Sequence, residues 1–157
     1  MMYVDCKVGR LIETRWVTPI SGDDVDHFLT RTAAIMRSTS GSFVVFADLE
    51  QATILPPEWI DRVVELLRSD NGRIERNGML LGESAVFTMQ VERMVRQAGN
   101  PARKAFRDMP GLESWILPVL TPEERERFRQ FRSETNEALM ASERPILPLS
   151  SAAFNSR

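Results

Sequence analysis

Residues 3–20 alternate loosely between apolar and polar positions, with Gly9-Arg10 in the middle. Tyr3, Val4 and Val8 lead in; Leu11, Ile12, Trp16, Val17 and Ile20 follow. That alternation predicts two short strands or a bent hairpin. Pro19 limits the second strand near its end. From Val25 the period changes. Val25, Phe28, Leu29, Thr32 and Met36 recur at helical spacing and give one buried face. Ser21 suits the N-cap of that helix, and Asp23 and Asp24 suit the positive end of its dipole. The small, polar cluster Ser38-Thr-Ser-Gly-Ser42 ends it. Phe43-Val-Val-Phe-Ala47 is apolar at every position, the pattern of a central strand covered on both faces.

The next helix begins at the prolines. Pro57 fits a first helical position, where its missing N–H costs nothing. Ile60, Val63, Val64 and Leu67 form its stripe, and Asn71-Gly72 is a natural stop. Asn77-Gly78 then precedes a short apolar strand, Met79-Leu-Leu-Gly82. Ser84 caps a helix with Phe87, Val91, Met94, Val95 and Ala98 inward, and Gly99-Asn100-Pro101 stops it. Residues 103–107 suit a short last strand, and Leu112, Trp115 and Ile116 mark a short helix. Thr121-Pro-Glu-Glu124 is a capping box with proline at the first helical position. The Arg/Glu-rich helix after it, roughly 122–140, carries a thin stripe of Phe128, Phe131, Thr135 and Leu139. Beyond about residue 141 the Pro, Ser and Ala content predicts a flexible tail.

The resulting order is β-β-α-β-α-β-α-(β)-α and a terminal helix. It predicts an α/β fold with a mixed, mostly parallel sheet of about 4–5 strands flanked by helices. Residues 1–118 form the α/β domain, 119–140 an extra C-terminal amphipathic helix, and 141–157 the tail.

Composition narrows the chemistry. The chain has 157 residues, 43% hydrophobic and 27% charged, enough for one domain with a real core. Its net charge of -2 gives no whole-molecule field for nucleic acid or an anionic membrane. The single cysteine, Cys6, excludes an internal disulfide, and the single histidine, His27, excludes His-pair zinc motifs. No secretory signal is visible at the N-terminus, and no apolar run is long enough to span a membrane. A cytoplasmic location is expected.

No Gly-rich phosphate loop follows either strand–helix junction, and no G-x-S-x-G elbow is present. Gly82-Glu-Ser84 reads as a helix cap. His27 reads as a boundary residue and Cys6 as a structural thiol. Asp48 with Glu50 is the carboxylate pair open to acid–base or cation chemistry; alternatively Asp48 accepts backbone N–H bonds in the turn. Trp59, Trp115, Phe128 and Phe131 read as core before docking surface. The expectation is a non-enzymatic protein without a cofactor.

The element order, with Phe43–Leu49 ending in Asp48-Leu49, resembles the STAS fold of the bacterial anti-sigma-factor antagonists. The resemblance covers about residues 3–118 and includes Gly78–Trp115, where a strand, a helix, a Gly stop, Phe106-Arg-Asp108 and a short helix succeed one another. It implies a regulatory protein-interaction module of the bacterial cytoplasm. The family's phosphorylated serine would fall near Pro57 or Glu58, neither of which can be phosphorylated, and the nearest hydroxyl is Thr53. A kinase-controlled switch is therefore expected to be absent, while Glu58 would place a permanent negative charge there. The implied docking face at the 49–60 junction comprises Asp48, Glu50, Thr53, Pro57, Glu58 and Trp59. Its protein partner is not specified by the sequence. The terminal helix either packs on the domain or makes a homodimer. The alternative function is a small apolar ligand- or lipid-binding domain, as in some relatives. Phe87, Met89 and Met94, among eight methionines, would then line an adaptable pocket instead of a Met-rich core.

Overall fold

Gly9, at φ +56°, turns strand β1 (Met2–Val8) back onto β2 (Leu11–Val17) as an antiparallel hairpin. The computed structural model describes residues 1–145. Three strand–helix–strand crossovers follow: α1 (Gly22–Ser38) into β3 (Phe43–Gln51), α2 (Pro57–Asp70) into β4 (Ile74–Leu81), and α3 (Ala85–Ala98) into β5 (Arg103–Phe106). The sheet order is β1-β2-β3-β4-β5, parallel from β2 onward. The expected α/β class and mostly parallel sheet are those observed. Helix α4 (Met109–Ile116) leads to α5 (Pro122–Ser133) and α6 (Asn136–Ser142).

Alternation along each strand divides the core into two layers. Ile12, Trp16, Ala47, Leu49, Met79 and Leu81 meet buried residues of α1, α2 and α3, among them Val25, Phe28, Val63 and Val91. Tyr3, Leu11, Val44, Phe46 and Leu80 face the other way and meet Leu112, Ile116, Phe128, Phe131 and Leu139. Sequential strand order with crossovers of one hand puts α1–α3 on one face. The opposite face is left to α4–α6. The Phe46 ring makes edge contacts with Phe128 at 4.8 Å and Phe131 at 5.6 Å between centroids. The stripe of the terminal segment is thus buried on its own sheet.

The local signals at the helix starts are realised. Ser21 and Thr121 form capping boxes with Asp24 and Glu124, Ser84 caps α3, and Pro57 opens α2. Besides β3, which runs past Leu49 to Gln51, three boundaries differ from expectation. Strand β4 begins at Ile74, so Asn77-Gly78 lies inside it, paired with Val45 and Phe46. A β-carbon at Gly78 would come within 2.7 Å of the Ile116 side chain, so close packing of α4 accounts for this glycine. The terminal helix is two helices. Thr135, expected on the apolar stripe, caps α6 through Ala138 N–H, while Arg15 takes the carbonyls of Phe131 and Glu134 at the break. The change of direction lets Leu139 reach the core. Finally, α6 continues to Ser142, and Glu143 and Arg144 pair with Arg31 and Asp5. Of the expected tail, residues 146–157 lie outside the described residues.

Gly82 has a tighter constraint than Gly78: an added β-carbon would lie 2.2 Å from the Glu50 carbonyl oxygen. Gly82→Ala is expected to destabilise the protein by about 1–3 kcal/mol in urea unfolding. Gly72→Ala, whose β-carbon meets nothing within 4 Å, should stay within about 0.5 kcal/mol of wild type.

Candidate docking site

Parallel pairing places Arg15 of β2 beside Asp48 of β3, and both face α5. Arg15 Nε donates to Asp48 Oδ2 at 3.0 Å, and its guanidinium lies 4.9 Å from the centre of the Phe131 ring. Arg132 from α5 reaches Asp48 at 3.3 Å and Glu50 at 2.8 Å. Glu50 N–H donates to Asp48 Oδ1 at 3.2 Å, a backbone bond as expected of Asp48 but made within β3 and not in a turn. With only 3% of its surface exposed, Asp48 ties α5 to the sheet and offers little to a partner. A polar recess of about 360 Å³ adjoins these residues, also lined by Glu134 and Asn136. Asp48 and Glu50 share the guanidinium of Arg132, which opposes their use as a free acid–base pair.

A second ion pair lies deeper. Glu13 is fully buried and receives Arg127 Nε at 2.7 Å and Nη2 at 2.6 Å. Tyr3 Oη donates to the same carboxylate at 2.7 Å. Burial first, and then the Glu13 charge, push the Tyr3 phenol well above its usual range. Hydrogen bonding to Glu13 is the largest influence holding Arg127 protonated, opposed by its desolvation.

The other end of the 49–60 junction faces away from this network. Thr53 N–H donates to Thr18 Oγ1 at 2.8 Å, and the two hydroxyls are 3.2 Å apart. Gln90 of α3 holds Leu55 by both backbone groups, accepting from its N–H at 3.0 Å and donating to its C=O at 2.7 Å. Leu55 and Ala52 are buried, so the loop is anchored on both sides of Ile54. Pro56 occupies the N-cap of α2 without a side-chain bond, and Pro57 and Glu58 are exposed on its first turn. Trp59 is half-buried against the core.

Ile54 is 57% exposed, Val86 57% and Met89 69%; among the described residues only Met140 joins them as an exposed large hydrophobic. Val86 and Met89 belong to the same exposed side of α3 as Gln90, and Gln90 grips the residue after Ile54. The Gln90–Leu55 bonds thus bring the side of α3 that carries Val86 and Met89 up to the loop that carries Ile54, after the carboxyl end of β3.

Thr53, Pro57, Glu58 and Trp59 lie on the loop and α2 side of the junction, whereas Asp48 and Glu50 point to Arg132. The six residues do not form one surface. Sequence reasoning passed over Ile54 and Val86, and gave Met89 to a pocket lining, whereas the side chain is exposed on the surface. The available signal was two large apolar residues on α3 outside the Phe87–Val91–Met94 stripe. It also missed the Arg15, Glu13, Arg127 and Arg132 network, whose members are spread over more than a hundred positions.

The other chemical candidates are quiet. His27 Nε2 lies 2.7 Å from Glu143 on the exposed side of α1. Cys6 is half-buried, and burial pushes its thiol up to about 11. No group of three His, Cys, Asp or Glu side chains is arranged to hold a metal ion among the described residues. Among them, too, no helix is long and apolar enough to cross a membrane. No family model, curated protein or solved structure matches the chain.

Arg127→Ala leaves the Glu13 carboxylate buried without its partner. It should cost about 3–5 kcal/mol in denaturant unfolding, and the double substitution Glu13→Leu with Arg127→Met should recover most of that loss. The raised Cys6 thiol predicts slow alkylation by iodoacetamide at pH 8. In the native protein the rate should climb towards pH 11, whereas in urea the same cysteine should react at the rate of an ordinary thiol.

Proposed function

We propose that the chain is a non-enzymatic protein-interaction module, STAS-like in its order of elements, acting in bacterial cytoplasmic regulation. The observation that carries this reading is the exposed corner of Ile54, Val86 and Met89, held on a hydrogen-bonded loop. Apolar side chains on an anchored loop lose little conformational freedom when covered, which favours binding. The exposed acids Glu58, Asp61 and Glu83 surround the loop and helix starts, and suit a partner with an apolar anchor and a basic rim. The Asp48-Leu49 pair near the end of β3 supports the STAS-like relationship. With Pro57-Glu58 at the start of α2, contact at this corner would be constitutive, not governed by phosphorylation there.

A second reading, binding of a small apolar ligand, is favoured by one separate observation, a crevice beneath α1–α3. Its wall includes Met94 but not Phe87, and Met89 points outward.

A partner captured from the native host should bind the purified wild-type protein directly. Ile54→Glu and Met89→Glu should each raise Kd at least about tenfold while leaving the thermal midpoint within a few degrees. Unchanged affinity in both variants would assign docking to another surface.

A further inference from the structure

Between the sheet and α1–α3 runs a narrow internal crevice of about 50 Å³, walled by Ile12, Val45, Met36, Met79, Met94 and Leu66. Two residues of its lining, Trp16 and Asn77, each carry a buried polar atom, Nε1 and Oδ1, with no hydrogen-bond partner. Trp16 is 3% exposed and Asn77 2%. An orphaned polar atom in such a place costs about 1–3 kcal/mol unless something else bonds to it. Val45 is only half-buried although it lies mid-strand in the centre of the sheet, as befits a side chain that fronts the crevice. Its lining residues Met36, Leu66 and Asp70 also bound an outer recess of about 630 Å³ between α1 and α2, which marks the mouth.

The register places Asn77 level with Val45 and beside Arg103. Arg103 commits Nε to Asn71 and Nη2 to the Leu67 carbonyl. Burial lowers Arg103 to about 10 and raises Asp70. These opposite charges offset one another, so this end of the crevice has polarity without a net charge to neutralise an ionised ligand. Trp16 lies four residues beyond Ile12, roughly 13 Å further along the sheet.

We propose that this crevice binds a slender, unbranched aliphatic molecule ending in an uncharged hydroxyl or primary amide. Its head sits at Asn77 and donates to the orphaned Oδ1, and its chain runs towards Trp16. Three unbranched methionines in the wall can shift to admit a chain wider than the resting space. Val45 and Ile12, stiff and β-branched, set its thickness. The proposal rests on the ligand-binding reading and is independent of docking at Ile54.

The test uses full-length protein carrying Trp59→Phe and Trp115→Phe, which leaves Trp16 as the sole indole reporter. 1-Hexanol and hexanamide should give a saturable change in Trp16 emission and a higher thermal midpoint. Hexanoate at pH 7 should need at least about tenfold higher concentration, because its charge would be buried unpaired. Asn77→Leu should erase the preference for a polar head, and Val45→Trp should abolish the response. A crystal of the wild-type protein soaked in 1-hexanol should show the hydroxyl at Asn77, whether or not the variants fold. Equal responses to hexanol and hexanoate, or density with the head away from Asn77, would overturn the head assignment and leave ligand binding standing. No saturable response to any of the three, with only water in the crevice, would overturn both.

Discussion

Strand β3 buries side chains on both of its faces, and the rest of the molecule is arranged to cover them. Phe43, Ala47 and Leu49 point one way; Val44 and Phe46 point the other. The crossover helices satisfy the first set. The second set would face water without α4, α5 and α6, which have no crossover to hold them. The terminal helices are therefore half of the core. This also explains why their thin stripe suffices: Phe128, Phe131 and Leu139 complete a layer to which the sheet supplies most of the apolar area.

Ion pairing gives that layer its register. Arg127 inserts at Glu13 and Arg132 at Asp48, while Arg15 binds the carbonyls where α5 ends. Buried pairs of this kind add little net stability over apolar packing, but an α5 shifted along the sheet would leave several charges unpaired. The same residue class guards the outer edge of β1. Arg31 donates to the Val4 carbonyl and Arg144 to that of Cys6, so the exposed edge has fewer acceptors free to pair with another strand. The far edge, β5, is limited by its length of four residues. The arginines of the chain thus have several structural uses.

The arrangement also separates two roles that look joined in the sequence. Asp48 and Glu50 end β3 on the α5 side, and the next few residues cross to the α2–α3 side. Within one continuous junction, the first part secures the fold and the second part presents Ile54. The crevice lies away from both, beneath the helices of the first face. Docking at the corner and occupation of the crevice can consequently be altered one at a time.

Local order was legible because its causes are local. Capping boxes at Ser21 and Thr121, Pro57 at a helix start and the uninterrupted run Phe43–Ala47 each specify an element through neighbouring residues. The α/β class followed from their order. Boundaries set by distant partners were not legible: β4 extends back to Ile74 because β3 offers it a ladder, and the terminal helix breaks at Glu134 because Arg15 takes its last carbonyls. The candidate site divides in the same way. The sequence by itself singled out the 49–60 junction, since a strand ending before a prolyl helix start is a contiguous signal. Only the tertiary structure decided which of its side chains are spent inside. Burial of Asp48, exposure of Ile54 beside Val86 and Met89, and the orphaned Asn77 depend on chain segments that meet only when the sheet and its two helical layers assemble.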